Sequence, residues 1–188
     1  IRYENEKYKH ALTWYDEVKE KDLIPQERLE FLYTKAYSLL EMKKYAEAKK
    51  IFNSLSNEKN EYSNVATYYS AYIDYLQKNN KSALNGFLKI EETEEYKDIV
   101  PYYIVQIYYE EKEYKKSLEH GKKMLESNPN NKNNSEVYRI MGECAYRENV
   151  FNEAIVYFGK YEKLAKKLQR NSSYMYGMSF FQEKDYVN

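Results

Sequence analysis

Residues 135–161 read SEVYRIMGECAYRENVFNEAIVYFGKY. Two amphipathic segments lie in that stretch, joined by the polar link Arg147-Glu148-Asn149, and each carries a small residue at a fixed place: Gly142 in the first and Ala154, twelve positions on, in the second. Phe151 stands three residues before Ala154, Phe158 four residues after it, and Tyr161 three further on. A four-then-three spacing puts Ala154, Phe158 and Tyr161 on one face of a helix. The stretch therefore predicts two helices folded back on each other through a short turn.

The same arrangement recurs outward in both directions. An aromatic residue precedes a small one by three at Tyr8/Ala11, Tyr45/Ala48 and Tyr114/Ser117, and Asn80/Ala83 fills the gap. The small residues at 11, 48, 83, 117 and 154 lie 37, 35, 34 and 37 apart, a repeat of about 34 residues with short insertions. The buried face continues through Tyr15 and Val18, Phe52 and Leu55, Phe87 and Ile90, and Gly121 and Met124. Twelve positions upstream come Ala36, Ala71, Val105 and Gly142, with Gly177 later, so each unit is a pair of helices. The links Met42-Lys43-Lys44, Gln77-Lys78-Asn79, Glu111-Lys112-Glu113 and Gln182-Glu183-Lys184 match the one already quoted. The clearest boundary is the run from Asn128 and Pro129 to Asn134, where Pro and Asn stop one helix and Ser135 is placed to cap the next.

The expected fold is all-α, an α-α superhelix of antiparallel helix pairs in which each repeat contacts mainly its neighbours and helix A lines the concave side. A single domain covers the chain: a partial helix B at about 6–19, repeats at about 29–62, 64–97, 98–134 and 135–169, and a helix A at about 172–182. Tyr186 opens a further helix B, and Ile1 is no initiator Met, so the sequence reads as an excerpt of a longer array.

Composition agrees with helices. Glycine and proline number only 5 and 3, so turn punctuation is scarce. Thirty basic and 30 acidic residues cancel, and the halves are balanced too, with 15 against 16 in residues 1–94 and 15 against 14 in residues 95–188. That balance argues against nucleic acid, which requires a basic surplus. The longest nearly apolar stretch, Ile99 to Tyr109, is interrupted by Gln106 and falls short of the roughly 18 residues of a membrane span. Cys144, the only cysteine, closes no intrachain disulfide and supplies no thiolate cluster.

The pattern resembles the tetratricopeptide repeat (TPR) family, whose signature is an aromatic, a Leu-Gly pair, a Tyr, then an Ala, a Phe and a closing Pro at fixed offsets. The unit from Ser135 carries Tyr138, Met141-Gly142, Phe151, Ala154 and Phe158; that from Asp98 carries Tyr108, Tyr114, Ser117 and Pro129; that from Leu29 carries Leu32, Ala36, Leu39, Tyr45, Ala48 and Phe52. Lys35 and Ser70 stand where the resemblance implies Leu, Asp74 where it implies Tyr, and Gly121 where it implies Phe. The richness in Lys, Asn, Tyr and Glu, with the segment Val100 to Tyr109, also resembles long bacterial repeat proteins of the cell envelope, which implies a periplasmic or envelope setting ahead of a cytoplasmic one.

The resemblance implies a binding groove lined by helix A. Its stripe runs through Tyr33, Tyr37 and Leu40; Tyr68, Tyr72 and Tyr75; Tyr102, Gln106 and Tyr109; Arg139, Glu143 and Tyr146; and Tyr174, Met178 and Phe181. Tyr offers a large, rigid contact area with a polar tip, which suits an extended peptide or a partner helix. The first and third members of each triplet commonly pack within such arrays, which leaves Tyr37, Tyr72, Gln106, Glu143 and Met178 to set specificity. One subclass grips a C-terminal carboxylate with Lys and Asn where this chain has Tyr33, Tyr37, Tyr68 and Tyr72, so that use is disfavoured. Arg139 either meets a partner's acid or pairs with Glu136 or Glu143 on its own helix.

Catalytic signals are sparse. His10 and His120 have no second histidine at a metal-binding offset, and Ser117, three residues before His120, reads as a packing residue. Cys144 reads as a small core residue, Glu91 to Glu95 as a solvated loop, and the five glycines form no phosphate loop. The expectation is a non-enzymatic interaction scaffold with a protein or peptide partner, no metal and no cofactor. The alternative is a carbohydrate-binding module in which exposed Tyr rings stack on envelope glycans.

Overall fold

The computed structural model describes residues 2–183, and the end of the chain, including Tyr186, lies outside them. Ten α-helices and one 3-10 turn, Glu20–Asp22, make up the regular structure of the described residues. They fall into two compact units, one ending at Ile90 and the other beginning at Glu91. In the first unit α1 (Arg2–Glu17), α2 (Pro25–Glu41), α3 (Tyr45–Ser56), α4 (Ser63–Leu76) and α5 (Asn80–Phe87) pack each on the next. In the second, α6 (Val100–Glu110), α7 (Tyr114–Ser127), α8 (Asn134–Arg147), α9 (Phe151–Leu164) and α10 (Arg170–Gln182) do the same, and α8 also touches α6 and α10.

Small residues set the approach of the helices. Ala36, Ala48, Ala83, Val105, Ser117 and Ala154 are fully buried, and Ala71 is nearly so. Phe52, Phe87 and Phe158 are buried beside them, as are Leu55, Ile90, Met124 and Tyr161. A Cβ built on Gly142 would lie 2.7 Å from the Phe158 ring, so α8 and α9 meet where only hydrogen fits. The same test explains Gly121: its Cβ would stand 2.8 Å from the Met141 sulfur, and Met141 on α8 fills the volume for which the resemblance implied a Phe on α7. Gly177 has open space where a Cβ would go, so the fifth small position carries no close packing.

Each helix pair turns on the same backbone device. Lys43, Lys78, Lys112 and Asn149 have φ near +60°, each five residues before Ala48, Ala83, Ser117 or Ala154. The N–H of Lys43 donates to the Leu40 carbonyl and that of Lys44 to Leu39, both at 2.8 Å, and the equivalent two bonds close the other three turns. This is the Schellman ending, usually built with glycine because a Cβ is strained in the left-handed region. Lys43→Gly and Lys112→Gly are therefore expected to stabilise the protein by about 0.5–1 kcal/mol each. Thermal melts check this; a fall in melting temperature would contradict it.

Two expectations change, those for Ser135 and Val18, and one helix is short. Ser135 lies inside α8 rather than capping it, because Asn131 and Asn134 organise the turn: Asn131 Oδ1 accepts the Asn133 N–H at 2.9 Å, and Asn134 Nδ2 donates to the carbonyls of Asn128 and Pro129. Helix α5 is only 8 residues long. Beyond Phe87 the bonds tighten to the three-residue kind, as in Ile90 N–H to the Phe87 carbonyl at 3.0 Å. The acidic run from Glu91 would be unfavourable at a continuing helix C-terminus. Val18 lies beyond α1 and is exposed, so the first copy of the buried face is incomplete.

The three polar departures from the repeat pattern are cross-helix polar contacts. Lys35 reaches Asp16 on α1 at 3.2 Å, Ser70 donates to Asn53 Oδ1 on α3 at 2.6 Å, and Lys49 on α3 meets the buried Asp74 on α4 at 2.5 Å. In each case helix A is tied to the helix before it.

Candidate functional site

Within each A helix the predicted stripe has the spacing of one helical face. In the first unit, Tyr33 and Tyr37 on α2 and Tyr68 and Tyr72 on α4 are half-buried, while Leu40 is buried. Tyr69 joins them: its ring lies 6.5 Å from Tyr33, 5.4 Å from Tyr37 and 5.2 Å from Tyr68, and it stacks on Phe52 at 5.3 Å. Tyr8 meets Tyr37 edge-on at 6.1 Å, Tyr62 stacks on Tyr33 at 5.1 Å, and Tyr68 and Tyr72 are parallel at 6.1 Å. Each such ring pair adds about 0.5–1.5 kcal/mol beyond area burial, so the rings brace one another. Tyr75, the third member on α4, is half-buried with the Lys78 ammonium 5.5 Å from its ring centre.

Three rings of this cluster were not legible in the stripe. Tyr8 and Tyr62 sit outside the A-helix triplets. Tyr69 follows Tyr68 and projects about a quarter-turn away, toward the preceding helix pair. Its signal in the sequence was the doublet Tyr68-Tyr69, which serves two faces at once.

The second unit brings together a different set. Glu143, in the middle of α8, is 1% exposed. It accepts hydrogen bonds from the Tyr109 hydroxyl on α6, from Arg139 Nη1 at 2.6 Å and from the Ser172 hydroxyl on α10 at 2.8 Å. Arg139 also grips Glu136 with two bonds, Nε to Oε2 at 2.9 Å and Nη2 to Oε1 at 2.6 Å, and its guanidinium lies 6.0 Å from the Tyr109 ring centre. Burial works against the arginine's charge, but the hydrogen bonds and fields of Glu136 and Glu143 outweigh it and hold its pKa above the usual value. One expectation is thereby corrected, and one alternative is decided in favour of pairing within the helix. Glu143 does not face a partner, because it is the acceptor that ties α6, α8 and α10 together. Arg139 is engaged by both carboxylates on its own helix. Ser172, at the start of α10, was missed because serine there reads as an ordinary first-turn residue.

The remaining predicted residues are spread. Gln106 donates to the Tyr102 hydroxyl at 2.9 Å, Tyr146 meets Phe151 edge-on at 5.7 Å, Met178 is half-buried, and Tyr174 is 63% exposed, as Phe181 is at 56%.

Half-buried phenols have a pH signature. Burial first, then the Glu41 charge, pushes Tyr37 up to about 12; burial, then the hydrogen bond to Glu143, does the same to Tyr109. A pKa raised from 10.0 leaves stability intact below pH 10 and removes it as pH climbs toward about 12, because the unfolded chain ionises first. An alkaline titration followed at 295 nm and by circular dichroism should show a fraction of tyrosine ionising only as helicity is lost. Complete ionisation with helicity intact would contradict this.

The residues weighed for catalysis have structural partners. Ser117 donates to the Val105 carbonyl at 3.0 Å. Burial pushes the Cys144 thiol up to about 12, away from a reactive thiolate. His120 packs on Tyr108 at 5.1 Å, with Glu91 3.7 Å from Nδ1. Among the described residues no group of three or more His, Cys, Asp or Glu is arranged to hold a metal ion, and no helix is long and apolar enough to cross a membrane.

No protein-family model matches the chain, and no curated protein matches it either. Solved structures are similar to it. The crystal structure of YrrB, described as a TPR protein with an unusual peptide-binding site, matches with a TM-score of 0.69 at 15% identity over 84% of this chain and 78% of that one. BtubC (BKLC) from P. vanneervenii matches with a TM-score of 0.66 at 10% identity over 98% of this chain and 85% of that one. Identities this low establish the fold: all-α, with consecutive helix pairs, a TPR-like helical solenoid.

Proposed function

We propose that this TPR-like chain is a non-catalytic scaffold that holds a protein or peptide partner on the tyrosine-bearing face of its A helices, chiefly α2 and α4. The observation that carries this reading is the braced ring cluster: Tyr33, Tyr37 and Tyr68 are part-exposed yet interlocked through Tyr69, and Tyr72 joins them through Tyr68. A partner would meet rings already ordered, so little side-chain entropy is lost on contact. The similarity to YrrB, a protein whose description includes a peptide-binding site, supports the same class of partner. In the second unit Tyr109, Arg139 and Glu143 act as framework, and Tyr174 and Met178 are the stripe members offered as contacts there.

The glycan alternative draws less support. Stacking on sugars requires open ring faces, and Tyr33 stacks on Tyr62 while Tyr68 and Tyr72 face each other.

The test is selection of binding peptides from a display library against the purified chain, followed by calorimetry with Tyr37→Ala and Tyr72→Ala. Each substitution is expected to weaken the selected peptides by about tenfold or more, a loss of roughly 1.4 kcal/mol, with the helical signal retained. Peptides that bind both variants as tightly as the parent protein would refute the assignment.

A further inference from the structure

Away from the tyrosine cluster, the first unit carries a second groove of about 310 Å³, formed by α3, α4 and α5. Its floor is low because a Cβ on Gly86 would come within 2.7 Å of the Ala71 Cβ, so α5 and α4 touch with no side chain standing between them. Every other lining residue carries a hydrogen-bonding side chain. Lys49 and Asn53 rise from α3, Ser70 and Asp74 from α4, and Ser82 and Asn85 from α5, with Lys89 just beyond it.

The charge of this groove is net positive. Asp74 is its only acid, and its carboxylate is taken by Lys49 at 2.5 Å and by Asn79 Nδ2 at 3.3 Å. Lys89 is exposed and forms no ion pair with any described residue, which leaves one uncompensated cation among neutral amides and hydroxyls. Ser70 and Asp74 are also two of the positions where this sequence departs from the repeat pattern. Amides and hydroxyls both donate and accept, as a polyol requires, and a free ammonium suits a point anion.

We propose that the α3–α4–α5 groove binds a tetrahedral oxyanion carried on a polyhydroxyl compound, a sugar phosphate or a sugar sulfate. Lys89 meets the anion, and Asn53, Ser82 and Asn85 meet the hydroxyls. This site is independent of the tyrosine face.

Amide chemical-shift titration of the 15N-labelled chain tests it, with glucose 6-phosphate, glucose 6-sulfate, inorganic phosphate and glucose as separate probes. The expected result is saturable shifts at Asn53, Ser70, Ser82, Asn85 and Lys89 with one or both sugar esters at concentrations up to about 10 mM, the tighter of the two identifying the anion. Lys89→Ala should weaken that binding by about tenfold and Asn85→Ala should weaken it less, both with unchanged circular dichroism, since the two side chains are exposed. Four results would overturn the proposal: no saturable shift with either ester, glucose binding as tightly as its esters, inorganic phosphate binding as tightly as glucose 6-phosphate, or binding indifferent to Lys89→Ala.

Discussion

Phe158→Ala lowers the stability of the protein by about 3–5 kcal/mol. The ring is 1% exposed, lies against the backbone of Gly142, meets Tyr176 at 5.6 Å and belongs to a buried cluster with Ala145, Ala154 and Met175. It therefore joins α8, α9 and α10, and its removal takes away both the ring's buried contacts and the volume they fill between three helices. Phe52, fully buried against Tyr69 in the first unit, is expected to behave alike. Gly142→Ala approaches the same contact from the other side and overpacks it, at about 1–3 kcal/mol. Urea unfolding of the three variants measures these losses. A midpoint for Phe158→Ala equal to that of the parent protein would mean that the repeat does not pack as described.

Glu143→Ala is the second large effect, again about 3–5 kcal/mol. Removing this carboxylate deprives the Tyr109 and Ser172 hydroxyls of their acceptor and leaves the part-buried Arg139 with Glu136 alone. The loss reflects groups left unsatisfied rather than the net worth of the ion pair, which burial offsets. Glu143→Gln keeps the shape and an acceptor oxygen but gives up the charge, so it should fall between the parent and Glu143→Ala. Ser172→Ala, which removes one neutral donor, should cost only about 1 kcal/mol. Chemical denaturation of the series orders them. Equal stability of Glu143→Ala and the parent would dissolve the network that ties α6, α8 and α10.

The helix pairs were legible because their cause is periodic. A small residue where helices cross, with large ones four and seven positions on, leaves the same mark each time it is used, as at Ala48, Phe52 and Leu55 or Ala154, Phe158 and Tyr161. The turn device was not, because its usual marker is glycine and this chain places Lys43, Lys78, Lys112 and Asn149 at the left-handed position. Nor was the early end of α5, which follows from charge placed after Phe87 rather than from a helix-breaking residue.

The candidate site was legible as a stripe but not as a set of roles. Spacing puts Arg139, Glu143 and Tyr146 on one face, yet whether that face meets a partner or the neighbouring A helices depends on residues distant in sequence. Tyr109 and Ser172 lie 34 and 29 positions from Glu143, and they decide its burial. In the first unit rings brace rings between α2 and α4. Tyr69 does this from a position that a single-face reading passes over.

The proposed function rests on α2 and α4 being the surface a partner covers. Hydrogen–deuterium exchange of the intact chain, with and without a selected peptide, tests this most directly. The account predicts slowed exchange in the peptides spanning Tyr33 to Leu40 and Tyr68 to Leu76, with α3 unchanged. Protection confined to α3, or to segments outside both A helices, would contradict it.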